Sequence, residues 1–337
     1  MAAITTTTMS NSVKSWYERR LLMRALPNLK HARWAEQAIW DGYKDYEVRK
    51  FGSLPLVTTT LTEGTTPGEE QAPTISKITL IPEWYGAWIG YTDKLKVTQF
   101  DPIIEETSAL LGEQAGLSFD TIIRDYLTTA ANCTKDYSGS ASSRTTLDLN
   151  NDKISYSDFV YDVATLEAAY AKPCDGPFYP VLLHPHSWST LMQDPTFITL
   201  FTRAGGDALR SGYVGDILQC RLYISGNVKE WADAGENSTE DVYSMLFFGQ
   251  ESYVLAGMTG LVPNWKWDSG GNQPMIGSGE KTGVRHSGIV DIIVNDLGET
   301  GFDPLKQRGT IGWKATHTQV TLNSAFIVDL EHLNDFS

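Results

Sequence analysis

The chain has 337 residues, 41% apolar and 20% charged, an ordinary globular balance that argues against a disordered, collagenous or coiled-coil protein. Its net charge is −14, from 27 basic and 41 acidic side chains, so phosphate would be repelled over most of the surface and general DNA binding is disfavoured. There is no apolar run of ~18 residues, so no membrane span and no membrane partner is expected; Met1–Met9 lacks the regions of a signal peptide, which reads as a cytosolic product.

The charge is unevenly spread. Residues 1–33 hold Lys14, Arg19, Arg20, Arg24, Lys30 and Arg33 against Glu18, a local net of +5 that leaves −19 on the remainder. Two readings stand: a solvated face of an amphipathic helix, or a basic arm that docks on an acidic neighbour or faces nucleic acid. Across 13–41, Leu21, Leu22, Leu26 and Leu29 recur at helical spacing. Pro27 interrupts them, so two short helices, or a helix and an extended piece, are expected.

Between 46 and 98 the pattern changes to alternation. Tyr46–Phe51, Ile75–Ile81 and Tyr85–Tyr91 alternate around the turn-rich Thr62–Gly68, which reads as a long two-stranded hairpin with few residues for a core of its own. Asp101-Pro102, with Glu105 and Glu106 behind it, opens the strongest helix signal, running to about Ala131. Gly112 and Gly116 weaken that helix, so packing must hold it. Residues 135–152 are polar, with Ser138–Ser143 as a flexible loop. A helix over 157–171 starts at Ser157 and stops before Pro173. A buried strand over Phe178–Leu183, a helix near Trp188–Met192, and strands over Leu218–Ser225, Val242–Gly249, Ser252–Ala256, Ile289–Val294 and Trp313–Leu330 complete an α+β chain.

The motifs of catalysis are absent. Neither Gly-x-Ser-x-Gly nor His-Glu-x-x-His occurs. Gly277–Gly283 lacks the Gly-Lys-Ser/Thr of a phosphate loop and reads as a surface turn. His184-Pro-His186 has no third ligand nearby and reads as a strand end before a helix. Cys133, Cys174 and Cys220 are too far apart for a zinc ribbon and odd in number. No cofactor, metal or catalytic residue is assigned.

Three stretches point to a family. Phe51-Gly-Ser-Leu-Pro-Leu56 with Leu61–Pro67, Asp101-Pro102 with Leu110–Ala115, and Asp303-Pro-Leu305 with Gln307–Ala315 and Leu322-Asn323 together resemble the major capsid proteins of tailed phages of the coliphage N-four type. The resemblance covers about residues 15–332. It implies the Hong Kong-97-type capsid fold, with an N-terminal arm at 1–50 and an extended hairpin loop at 51–92. A peripheral domain with its spine helix at 101–131 falls at 93–171 and 306–337, and an axial domain at 172–305. It implies an icosahedral shell of hexamers and pentamers around a double-stranded DNA genome, assembled in the host cytoplasm. Scaffolding protein, portal and decoration proteins are the implied partners, and contact with the packaged DNA is non-specific. On this view Lys14, Arg19, Arg20, Arg24, Lys30 and Arg33 serve an intersubunit arm, and Phe51, Leu54, Leu56, Ile78, Leu80 and Trp88 an intersubunit hairpin. Gln307, Arg308, Gly309, Gly312 and Trp313 mark the family's closing motif.

No helical segment of ~100 residues precedes the arm, which implies a separate scaffolding protein or one removed earlier. Lys77 lies in the hairpin, but the sequence identifies neither a partner nor a catalytic Glu for a covalent cross-link, and none is assigned. Two other classes fit less well: a nanocompartment shell of the same fold enclosing an enzyme, and a carbohydrate hydrolase with two carboxylates in a Trp-lined cleft.

Overall fold

The computed structural model describes residues 29–40, 46–52, 54, 56–58, 60, 63–64, 72–98, 103–204, 216–217, 219–236, 238–258, 265–267, 274–276, 291–295, 305 and 307–335. The first half holds strands β1 (Glu36–Trp40), β2 (Tyr46–Phe51), β3 (Ile75–Leu80) and β4 (Glu83–Thr92), helices α1 (Asp93–Thr98) and α2 (Ile103–Leu127), strand β5 (Thr134–Tyr137) and helix α3 (Tyr156–Ala168). Next come β6 (Tyr179–Leu183), helices α4 (Pro185–Leu191) and α5 (Pro195–Ala204), β7 (Asp216–Ile217), β8 (Cys220–Ile224), β9 (Glu230–Trp231), β10 (Val242–Phe248) and β11 (Tyr253–Met258). The last strands are β12 (Trp265–Trp267), β13 (Pro274–Ile276), β14 (Asp291–Asn295), β15 (Arg308–Thr321) and β16 (Ile327–His332).

Helix α2 packs on the first of two large sheets. Its apolar row Leu111, Ala115, Phe119, Ile123 and Leu127 recurs every fourth residue and is buried, so one face is committed to a core. Leu111, Ala115 and Phe119 meet Tyr91 of β4 and Ile311, Trp313 and Ala315 of β15, and the rings of Phe119 and Trp313 lie 5.6 Å apart. Each large side chain so buried contributes about 1.5–3 kcal/mol. β15 is the sheet's spine. Arg308–His317 pairs antiparallel with β4 from Thr92 back to Glu83, β14 lies on the other edge, and Thr318–Thr321 continues onto β11. β1 then joins β11 in parallel.

The second sheet has seven strands, ordered β5-β16-β10-β6-β8-β7, with β9 also on β10. β10, Val-Tyr-Ser-Met-Leu-Phe-Phe, is buried at every position, as a strand covered on both faces must be. α3 lies against it through Phe159, Val163 and Leu166. At the β5–β16 edge, Lys135 Nζ is 2.6 Å from Asp329 Oδ2 and 2.5 Å from Glu331 Oε1, and Arg144 grips both Glu331 oxygens at 2.7 Å. Burial pushes the Asp329 carboxyl up; at Glu331 the same burial is outweighed by Arg144 and Lys135, which hold it below its ordinary value.

The structure corrects several expectations. The long helix ends at Leu127, short of Ala131; Thr128 Oγ1 and the Asn132 side-chain amide donate to the last-turn carbonyls of Arg124 and Tyr126. Residues 36–40 are a strand rather than part of a helix, because β11 supplies a parallel ladder. The hairpin pairs β2 with β3, whereas β4 leaves it for β15. The polar stretch 135–152 holds strand β5 and a loop closed by Asp152, whose carboxylate accepts the N–H groups of Ser140 and Asp148 at 3.0 Å each. α3 is capped from Ser155, whose N–H reaches Asp158 at 2.8 Å, rather than from Ser157. The one or two strands expected over Trp313–Leu330 are two, the end of β15 and most of β16, and they belong to different sheets. Gly277–Gly283 lies outside the described residues.

Candidate assembly surfaces

The hairpin is pinned at its base, and its described apolar residues beyond the ladder are exposed. β2 and β3 run in register from Tyr46↔Leu80 to Phe51↔Ile75, and the Gly52 N–H to Thr74 carbonyl bond of 2.8 Å closes the ladder. At the base, Leu80 is 1% exposed and packs with Val254, Ala256 and Val48; near the far end of the ladder, Lys50 Nζ donates to the Leu322 carbonyl at 3.0 Å. Leu80 therefore belongs to the core of its own subunit, which corrects its place among the intersubunit residues. Ile78 is half-buried. Toward the tip, Leu54, Leu56 and Val57 are 53%, 92% and 71% exposed. The Phe51 side chain lies outside the described residues; its backbone pairs with Ile75.

Trp88 stands on the sheet, not on the hairpin. It and Trp84 are 72% and 54% exposed on the face of β4 turned away from α2. Gly312 faces Trp88 across the β4–β15 ladder, and a Cβ there would come within 2.8 Å of the Trp88 Cβ. The rest of the closing motif knits the subunit together. Trp313 is buried beside Phe119, Gly309 accommodates the Tyr91 ring, the Gln307 carbonyl accepts the Asp93 N–H at 2.9 Å, and Arg308 pairs with Thr92.

Of the six basic arm residues, Lys14, Arg19, Arg20 and Arg24 lie outside the described residues. Lys30 and Arg33 sit in a knot at the arm's base. The Asp120 carboxylate of α2 accepts the N–H of Lys30 at 2.7 Å and of His31 at 2.8 Å on Oδ1. On Oδ2 it receives His31 Nδ1 at 2.9 Å and Asn227 Nδ2 at 2.8 Å. Burial alone pushes Asp120 up, but His31 and Asn227 outweigh it and hold the carboxyl below its ordinary value. The Tyr253 hydroxyl donates to the His31 carbonyl, Leu29 is buried on α2, and the Arg33 guanidinium lies 4.7 Å over the Tyr223 ring. Arg33 thus stacks within its own subunit. Sequence reasoning missed Asp120; the available signal was a lone carboxylate between Phe119 and Ile123 on the buried face of a helix.

Among the described residues no cluster of His, Cys, Asp and Glu could hold a metal, and no helix is long and apolar enough to cross a membrane. His184 ends β6 and caps α4, its Nδ1 accepting the His186 N–H at 3.2 Å. All three cysteines are free, and burial pushes the Cys133 and Cys174 thiols up to about 12 and Cys220 up as well.

Among the described residues an apolar loop and a tryptophan face are exposed, while the base of the arm is tied into its own subunit through Asp120 and Tyr223. Residues 77–318 match the family model described as phage capsid protein. The chain belongs to the phage capsid protein family. The fold of this capsid subunit is shared with solved phage shells at low identity. It superposes on the capsid of Ralstonia phage GP4 with a TM-score of 0.62 at 15% identity, covering 91% of this chain and 88% of that one. For the capsid of cyanophage P-SCSP1u the values are 0.58, 13%, 89% and 87%, and for cyanophage Pam1 they are 0.57, 11%, 93% and 93%. No curated protein matches the capsid subunit's sequence.

Proposed function

We propose that this capsid protein is the major shell subunit of a tailed double-stranded DNA phage, with the Hong Kong-97-type fold and kinship to the coliphage N-four type. Copies close into an icosahedral shell of hexamers and pentamers in the host cytoplasm, with scaffolding protein, portal and decoration proteins as partners. The peripheral domain of this reading is 93–171 with 306–337, and the axial domain is 172–305. The observation that carries the reading is the family match joined to a hairpin whose described apolar residues beyond the ladder, Leu54, Leu56 and Val57, are exposed. A two-stranded ribbon is at best marginally stable alone, and bare leucines on a loop mark a contact surface. Electron microscopy of the protein expressed with its scaffold tests this directly. Closed particles are expected, and a protein that stays monomeric under those conditions overturns the reading.

The basic arm works between subunits, and against the packaged genome, by charge. Exposed ion pairs stabilise by only ~0–1 kcal/mol each, but they recur at every contact of the shell. Replacing Arg19, Arg20 and Arg24 together by Glu is expected to lower assembly yield and to change its dependence on salt. Unchanged yield together with unchanged salt sensitivity would rule out the electrostatic role.

A further inference from the structure

The core-facing stripe of α3 carries one carboxyl among apolar side chains. Phe159, Asp162, Val163 and Leu166 are its buried residues, at the three- and four-residue spacings that share one face of a helix. Asp162 is 0% exposed, and among the described residues no N–H or O–H donates to either of its carboxyl oxygens. That separates it from Asp158, one turn earlier, which accepts the Ser155 N–H and the Ser155 and Ser138 hydroxyls at 2.8–3.0 Å. A buried carboxylate without a donor is among the costliest groups a core can hold.

The group it meets is a second carboxyl. β5 pairs with β16 so that Asp136 stands beside Leu330 and Thr134 beside Val328. Val328 and Leu330 lie in the same core cluster as Phe159, Val163 and Leu166, so alternation along the strands puts Asp136 on the sheet face that α3 covers. Lys135 is on the other face, held by Asp329 and Glu331. The Asp136 carboxyl lies within hydrogen-bond reach of Asp162. Also facing Asp162 are Asp158 on its own helix, Asp329 of β16 and the Cys220 thiol of β8, and none of these is a cation. Burial first, and then Asp136, push the Asp162 carboxyl well above its ordinary value.

We infer that Asp162 and Asp136 share one proton across the α3–β5 contact, and that this proton fastens α3 to the edge of the seven-stranded sheet. Two carboxylates cannot hydrogen-bond each other, whereas a carboxylic acid donates to a carboxylate. A proton held by the pair supplies the donor that the site otherwise lacks, and on ionisation it leaves to water. The pair titrates as a unit. An unfolded Asp loses its proton near ~3.9, while the folded pair keeps one to higher pH. Its contribution to stability is therefore full below the unfolded value and is lost as the pH rises through the folded one. Above that point two negative charges face each other in a buried site, so alkali, not acid, loosens α3 from β5. The device lies within one subunit and works whether or not copies close into a shell.

Asp162→Asn keeps the shape, supplies an N–H for Asp136 and cannot ionise. The unassembled full-length chain and the variant are denatured with urea in weak buffer at about pH 6, where an unfolded carboxyl is ionised, and the protons released are counted. About one more proton per chain is expected from the unsubstituted protein than from the variant, because the histidines and other groups contribute equally to both. As the pH is raised from there, the folding equilibrium of the unsubstituted chain should fall against that of the variant by up to tenfold per pH unit, until the pair has ionised. A second measurement needs no variant. At the same pH the infrared spectrum of the native chain should show the carbonyl stretch of a protonated carboxyl, and thermal unfolding should abolish it. Equal proton release from the two chains, or a native spectrum without that band, would show that Asp162 is ionised and would overturn the inference.

Discussion

Deleting Leu54 through Pro73 and joining Ser53 to Thr74 with a short Gly-Ser turn is expected to give a soluble, folded subunit that forms no shells. The cut removes Leu54, Leu56 and Val57, which are exposed, and spares every paired residue of the ribbon, whose last backbone bond joins Gly52 to Thr74. It also spares Leu80, which is packed against Val254 and Ala256. A longer deletion into β3 would confuse two effects. Removing buried leucine costs about 2–5 kcal/mol and would lower stability irrespective of assembly. With the shorter cut, circular dichroism should report near-native helix content and a thermal midpoint close to that of the full chain. Sizing chromatography and electron microscopy should report subunits or capsomers without closed particles. Normal shell yield would show that the tip is not the clasp between subunits, and an unfolded product would place the tip in the subunit's own core.

The sequence made some of this visible and hid the rest for definite physical reasons. Helix α2 was legible because its signal is local: an apolar row at every fourth residue behind an acidic first turn. Its end was misplaced by four residues because Thr128 and Asn132 stop it with side-chain bonds to backbone carbonyls, which periodicity does not register. The strands were legible as strands, but their partners were not. Tyr85–Tyr91 alternates in the same way whether it faces β3 or β15, and only the fold decides that Trp88 stands opposite Gly312. β1 was hidden further, since Glu-Gln-Ala-Ile-Trp has little strand character until Val254–Met258 offers it a parallel ladder. The same limit hid the knot at the arm's base. Lys30 and Arg33 were found by their charge, yet the backbone N–H of Lys30 is what binds Asp120, and the planar face of Arg33 meets an aromatic ring.

Charge also misleads when burial is ignored, and the largest stability effect follows from that. Lys77 Nζ lies 2.8 Å from Glu47, with side chains 67% and 41% exposed. Lys135 Nζ lies 2.6 Å from Asp329 and 2.5 Å from Glu331, with its own side chain 13% exposed and both carboxylates at 0%. The distances are alike, but solvent screens the first pair and not the second group. Lys77→Met is therefore expected to leave the thermal midpoint unchanged. Lys135→Met keeps the apolar stem and removes the charge, leaving Glu331 with Arg144 and the buried Asp329 with the Ser244 hydroxyl but no cation in hydrogen-bond reach. Stranding a buried charge in this way costs about 3–5 kcal/mol. The sign of the pH dependence follows. In the variant both carboxyl pKa values rise above their present positions, so the loss is greatest at neutral pH. It shrinks on acidification, as Asp329 or Glu331 takes up a proton and the buried negative charge is relieved. Urea titration of the unassembled subunit at several pH values between neutrality and the ordinary carboxylate range measures this. A deficit of less than 1 kcal/mol at neutral pH, or one that grows as the pH falls, would show that the Lys135 ammonium is not what holds the two carboxylates in the edge of the seven-stranded sheet.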